Sequence, residues 1–107
     1  MSAILDRQQQ FFDAFITWGV EARRRGYKCT FGDAFRDPRA SFPYSFPGTY
    51  HGKRLAVDVN LFKDGAWLVT RTGWIEMGEV WESLGGTWGG RWEGSKCDPN
   101  HLSWGEV

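Results

Sequence analysis

The feature that most constrains this chain is the run Leu-Ala-Val-Asp-Val-Asn-Leu-Phe at 55–62, followed by Lys63-Asp-Gly65. Side chains alternate across a strand, so Val57, Val59 and Leu61 share one face while Ala56, Asp58, Asn60 and Phe62 share the other. An aliphatic face of this kind must be covered by other elements. Lys-Asp-Gly is a tight-turn signal, and residues 66–71 return as a second strand, so the pair reads as a β-hairpin.

The covering elements are also readable. Residues 6–25 form an expected helix, with Phe11, Phe12, Phe15, Ile16, Gly19 and Ala22 on one face and Trp18 at its border. Asp6 followed by Gln9 resembles a capping box. Arg23, Arg24 and Arg25 suit the negative end of the helix dipole as a solvated helix end, and Gly26 is a natural terminator. Residues 27–31 read as a short strand. Residues 72–84 read as a second helix capped by Thr72, with Trp74, Met77, Val80, Trp81 and Leu84 as its apolar stripe and Gly85-Gly86 as its stop. A last short strand is expected at 101–104. Helices and strands are segregated, which specifies an α+β domain: a small antiparallel sheet packed against the N-terminal helix and the short second helix. With 107 residues, the chain is expected to be one domain spanning 1–107.

Composition narrows the function. Lys+Arg and Asp+Glu are 13 each, a balance that argues against binding nucleic acid through bulk phosphate attraction. No apolar run approaches the roughly 20 residues needed to span a bilayer, so no membrane insertion is expected. The opening MSAILDRQQQ lacks a basic segment followed by an apolar one, so no secretory signal is expected and synthesis in the cytoplasm is. Two cysteines exclude a disulfide-rich scaffold, although Cys29 and Cys97 could pair in an oxidising space. Seven Trp, eight Phe and three Tyr supply the large buried areas that so short a chain needs. Pro38, Pro43 and Pro47 make 32–50 a long irregular segment, of the kind that often carries function.

Asp58 is anomalous. A carboxylate in so apolar a strand must be paired or bind a metal. His51 stands at the mouth of the same strand, and Asp98-Pro-Asn-His101 puts a carboxylate and an imidazole three positions apart. Two histidines and one carboxylate make a complete protein ligand set for a catalytic zinc, and the remaining carboxylate could then take a proton from the zinc's water. Each piece alone has a plainer reading: a hydrogen-bonded histidine, an Asp paired with arginine, a chance D-x-x-H. Cys97 with His101 is a second spacing that zinc would accept, as part of a closed structural site. Trp88, Trp92 and Trp104 could present a sugar-stacking platform or line core and cleft.

Thr49-Tyr-His51-Gly-Lys-Arg-Leu-Ala56-Val-Asp58 resembles the S-x-H-x-x-G-x-A-x-D motif of zinc D,D-carboxypeptidases and L-alanyl-D-glutamate endopeptidases, the VanY-like peptidases. Asp98-x-x-His101 resembles their second motif. Gly32-Asp-Ala-Phe-Arg36, Gly78-Glu-Val-Trp-Glu-Ser-Leu-Gly85 and Trp88-Gly-Gly90 are similar to the phage endolysin branch. The resemblance implies a Hedgehog/DD-peptidase-like fold, with His51, Asp58 and His101 as zinc ligands. It implies Asp98 as the catalytic acidic residue and Arg36 as the arginine that binds substrate and stabilises the oxyanion. The implied protein is a zinc metallopeptidase that cuts the peptide stem of bacterial peptidoglycan, an endolysin with L-alanyl-D-glutamate endopeptidase activity, monomeric and released to the wall by a holin-type route. D-Ala-D-Ala carboxypeptidase activity is the alternative within the class. A tryptophan-rich wall-binding module and a non-hydrolytic Hedgehog-type domain are the alternatives outside it. The motif's Ser is Thr49 here, which keeps the hydroxyl, and its Gly is Arg54.

Overall fold

The computed structural model describes residues 2–32 and 54–105. Helix α1 spans Ala3–Arg24 and helix α2 spans Arg71–Ser83; the strands are β1 (Lys28–Phe31), β2 (Ala56–Lys63), β3 (Ala66–Leu68), β4 (Thr87–Trp88) and β5 (His101–Ser103). Two 3-10 turns, Gly89–Arg91 and Gly94–Lys96, lie between β4 and β5. The α+β reading holds: the two helices pack on an antiparallel sheet ordered β1-β2-β5-β4, with β3 also paired to β2.

Strand β2 is the spine of this sheet. Its outer half pairs with β1 along one edge, Phe31 opposite Val59 and Lys28 opposite Phe62. Along the other edge it pairs first with β5, through Ala56–Asp58, and then with β3, through Leu61–Lys63. The β2–β3 turn has positive φ at both Asp64 (52°) and Gly65 (80°), which marks the type I′ turn of a two-residue hairpin. As the alternation requires, Val57, Val59 and Leu61 enter the core, joined there by Leu102, Trp88, Trp81, Met77, Trp74, Trp18 and Ala22.

The boundaries shift for identifiable reasons. Helix α1 starts a turn before the expected position, because Ser2 Oγ accepts from Leu5 N at 3.2 Å and makes Ser2 the N-cap; Asp6 sits in the first turn instead. Strand β3 stops at Leu68 because Thr70, not Thr72, caps α2, its Oγ1 accepting from Gly73 N at 3.1 Å. The buried stripe of α1 is also rotated from the expected one. Trp18 is buried at its centre while Phe12 and Ile16 are 64% and 51% exposed. The indole explains this: Trp18 Nε1 donates to Met77 O at 2.9 Å, and its ring stacks between Phe15 and Trp74. A polar handle that needs a carbonyl turned the helix, which apolar periodicity does not register. The arginine run is less solvated than expected, since Arg25 pairs with both Glu21 and Glu76 and so links the end of α1 to α2.

Candidate active site

The site begins with strand register. Asp58 on β2 lies directly opposite His101 on β5. Opposed residues of an antiparallel pair project to the same face with Cβ atoms about 4.5–5.5 Å apart, so the pairing alone brings carboxylate and imidazole together. Asp58 faces away from Val57 and Val59, and both site residues are buried, at 7% and 6% exposure. His101 Nδ1 stands 3.4 Å from Asp58 Oδ1. That is longer than a good N–H···O bond, and it is about the edge of a tetrahedron whose metal bonds are about 2.0–2.2 Å.

Asp98 joins them through a tight turn. His101 N donates to Asp98 O at 3.1 Å, closing Asp98-Pro99-Asn100-His101 into a β-turn with proline second. The other carbonyls of the turn are also held. Pro99 O accepts from Trp88 Nε1 at 2.6 Å, and Asn100 O accepts from Val59 N at 2.9 Å. Asp98 N donates to Gly89 O at 2.9 Å. Gly89 must be glycine for this approach, because a Cβ there would lie 2.4 Å from Asp98 O and 2.9 Å from the His101 Cβ. One candidate ligand atom from each of Asp58, Asp98 and His101 lies within 4.8 Å of the other two. Two carboxylates and an imidazole, clustered and largely removed from water, are a donor set suited to a divalent metal such as zinc.

The surroundings hold this cluster still. Trp88 is fully buried, with Gly78 and Gly90 so close that a Cβ on either would come within 2.3 Å of its ring. Arg91 lies over the Trp88 ring and pairs with Glu82 and Glu79 of α2, and Arg71 donates to Trp92 O at 2.9 Å. The Trp92 ring packs against the His101 imidazole, with centroids 4.8 Å apart. Sequence reasoning did not find these positioning roles for Trp88, Gly89, Arg91 and Trp92. The only signal was the Trp-Gly-Gly run, since glycine beside a large aromatic often marks a close approach.

Of the site residues expected from sequence, Asp58, Asp98 and His101 are brought together. His51 and Arg36 lie outside the described residues. A sugar platform of Trp88, Trp92 and Trp104 does not form, because Trp88 is in the core and Trp104 packs edge-on against Trp81. Among the described residues, the group that could hold a metal is Asp58, Asp98 and His101, and Cys97 is not in it. Its thiol lies 3.7 Å from Gly90 O and 3.5 Å from Arg71 Nη2, and both cysteines are free. Arg54 has φ of 56°, a left-handed conformation that favours glycine, which is what the resembling motif carries at that position.

Among the described residues, no helix is long and apolar enough to cross a membrane. No curated protein sequence matches the chain. A family model described as D-alanyl-D-alanine carboxypeptidase matches residues 47–104, a span that begins before the β2 strand and takes in Asp58, Asp98 and His101. It covers more than half of the sequence, and the chain belongs to this D-alanyl-D-alanine carboxypeptidase family of peptidases.

Proposed function

We propose that the chain is a zinc peptidase that hydrolyses the peptide stem of bacterial peptidoglycan, acting as a phage endolysin on the L-alanyl-D-glutamate bond. The observation that carries this reading is the convergence of Asp58, Asp98 and His101 in a largely buried cluster, within the matched family region. In this reading His51, Asp58 and His101 hold the zinc. Zinc bound there would supply an acidified water and a Lewis acid for the scissile carbonyl. Asp98 accepts the water's proton and passes it to the leaving amine. Arg36, always charged and planar, faces the oxyanion or a substrate carboxylate. In this reading the chain works as a monomer that is made in the cytoplasm and released to the wall through a holin-type opening.

D-Ala-D-Ala carboxypeptidase activity is the second reading, favoured by the description of the matching family. Mass spectrometry of muropeptides after digestion separates the two, since one leaves a free D-glutamyl amine and the other releases D-alanine. Metal analysis of the same preparation should find one zinc per chain. Peptidoglycan left intact by zinc-loaded protein would overturn the hydrolase reading.

A further inference from the structure

Strand β1 is the outer strand of the sheet, and its second edge is unpaired among the described residues. Gly32 N donates to Asp58 O at 2.8 Å, which makes Gly32 and Asp58 a hydrogen-bonded pair. Such pairs alternate along an antiparallel ladder, so Thr30 and Lys28 also bond to β2, while the N–H and C=O of Cys29 and Phe31 point outward. The whole strand is exposed. An open edge of this kind is a template for another strand.

Beside that edge runs an apolar groove of about 510 Å³ between α1 and β1. Phe12, Ile16, Val20 and Phe31 stand exposed along it. Gly19 lies in its wall, and a Cβ there would meet nothing within 4 Å. Packing among the described residues therefore gives no reason for a glycine that weakens the helix. At the Lys28 end the groove adjoins a second recess of about 390 Å³, and the charged side chains lining the two are Arg23 and Lys28. Glu21 is taken by Arg24 and Arg25, and neither Arg23 nor Lys28 has an ion pair among the described residues.

We propose that this edge and groove form a docking site for an extended acidic segment of a partner protein, which adds to the sheet as a strand beside β1. The segment's backbone pairs with the outward groups of Cys29 and Phe31, every second side chain enters the apolar groove, and its carboxylates meet Arg23 and Lys28. The open backbone edge selects a polypeptide over an acyl chain or a membrane surface, and the two cations select acidic residues. Cys29 and Phe31 lie opposite Leu61 and Val59, on the helix side of the sheet, whereas Asp58 faces the other side. Docking here is therefore separate from the metal-binding cluster and does not depend on the hydrolase reading.

The test follows amide hydrogen exchange at Cys29 and Phe31 in the full chain by NMR. The probes are acetyl-Glu-Glu-Val-Thr-Val-Thr-Phe-amide and acetyl-Phe-Thr-Val-Thr-Val-Glu-Glu-amide, which cover both strand directions, and their counterparts with lysine in place of glutamate. Without peptide both amides should exchange freely. At about nine-tenths saturation with an acidic peptide they should slow about 10-fold, because exchange then runs through the free tenth. The lysine counterpart should bind roughly 3–30-fold more weakly, the yield of two exposed ion pairs. Gly19→Leu fills the groove and should abolish the slowing, and Arg23→Gln should reduce the preference for the acidic peptide. Both variants should keep the circular dichroism and the zinc content of wild type. No slowing with either acidic peptide at about 1 mM, or equal binding by the lysine counterparts, would overturn the proposal. Amides already slow in the free chain would also overturn it, in favour of a segment of the chain itself, or of a second copy if the slowing grows with protein concentration. Slowing by phosphatidylglycerol vesicles and by neither peptide would replace the partner segment with a lipid surface.

Discussion

Trp88→Phe isolates the link between core and site. A phenyl ring still fits between Gly78 and Gly90, so the substitution removes the second ring and the indole N–H without adding a clash. The lost contact is the 2.6 Å bond to Pro99 O, which holds the middle of the Asp98–His101 turn. A hydrogen bond of this kind contributes about 0.5–1.5 kcal/mol net. Truncating a fully buried indole to a phenyl should cost about 1–2 kcal/mol more, a fraction of the cost of cutting Trp to Ala. The total is about 1.5–3.5 kcal/mol, which at about 4 °C per kcal/mol lowers the melting temperature by about 6–14 °C. Calorimetry measures that directly. A competition titration with a chromogenic chelator should also show zinc affinity weakened by about 10-fold, the lower end of what outer-sphere partners contribute. A surface tryptophan serving only as a sugar platform would cost no more than about 0.5 kcal/mol. A melting temperature within about 2 °C of wild type, with zinc affinity unchanged, would refute the claim that this indole anchors the turn.

Asp98→Asn should retain zinc and the fold while losing roughly 10²–10⁴-fold in turnover, whereas His101→Ala should lose the metal. Metal analysis of the two purified variants separates the roles, and loss of zinc from Asp98→Asn would make Asp98 a ligand. Burial, followed by the hydrogen bond to Glu76, raises the Tyr27 hydroxyl to about 12. A folded value above the ordinary value of about 10 means that this group's contribution is complete below pH 10 and is lost as pH climbs toward 12. Denaturant titrations of wild type should therefore weaken over that window, and Tyr27→Phe should remove its share of the loss.

Sequence by itself determined the parts of this protein that depend on local periodicity and turn chemistry. The alternation through Val57, Val59 and Leu61, the Asp64-Gly65 turn and the stop at Gly26 follow from a few consecutive residues, and each forms where it was expected. Asp58 was legible as an anomaly because a carboxylate has no cheap place in so apolar a strand. The spacing of Asp98 and His101 was legible too, because a tight turn brings residues three apart together. What only the tertiary structure decided are relations between distant segments. The opposition of Asp58 and His101 is a register between strands 43 positions apart in sequence, and a slip of one residue would send one of them to the other face. The rotation of α1 hangs on one bond from Trp18 to Met77 O, and the anchoring of the site turn on one from Trp88 to Pro99 O. Both bonds join indole N–H groups to backbone carbonyls in other elements. The chain's pattern shows that an indole needs such a partner, but only the packed fold brings a particular carbonyl within reach.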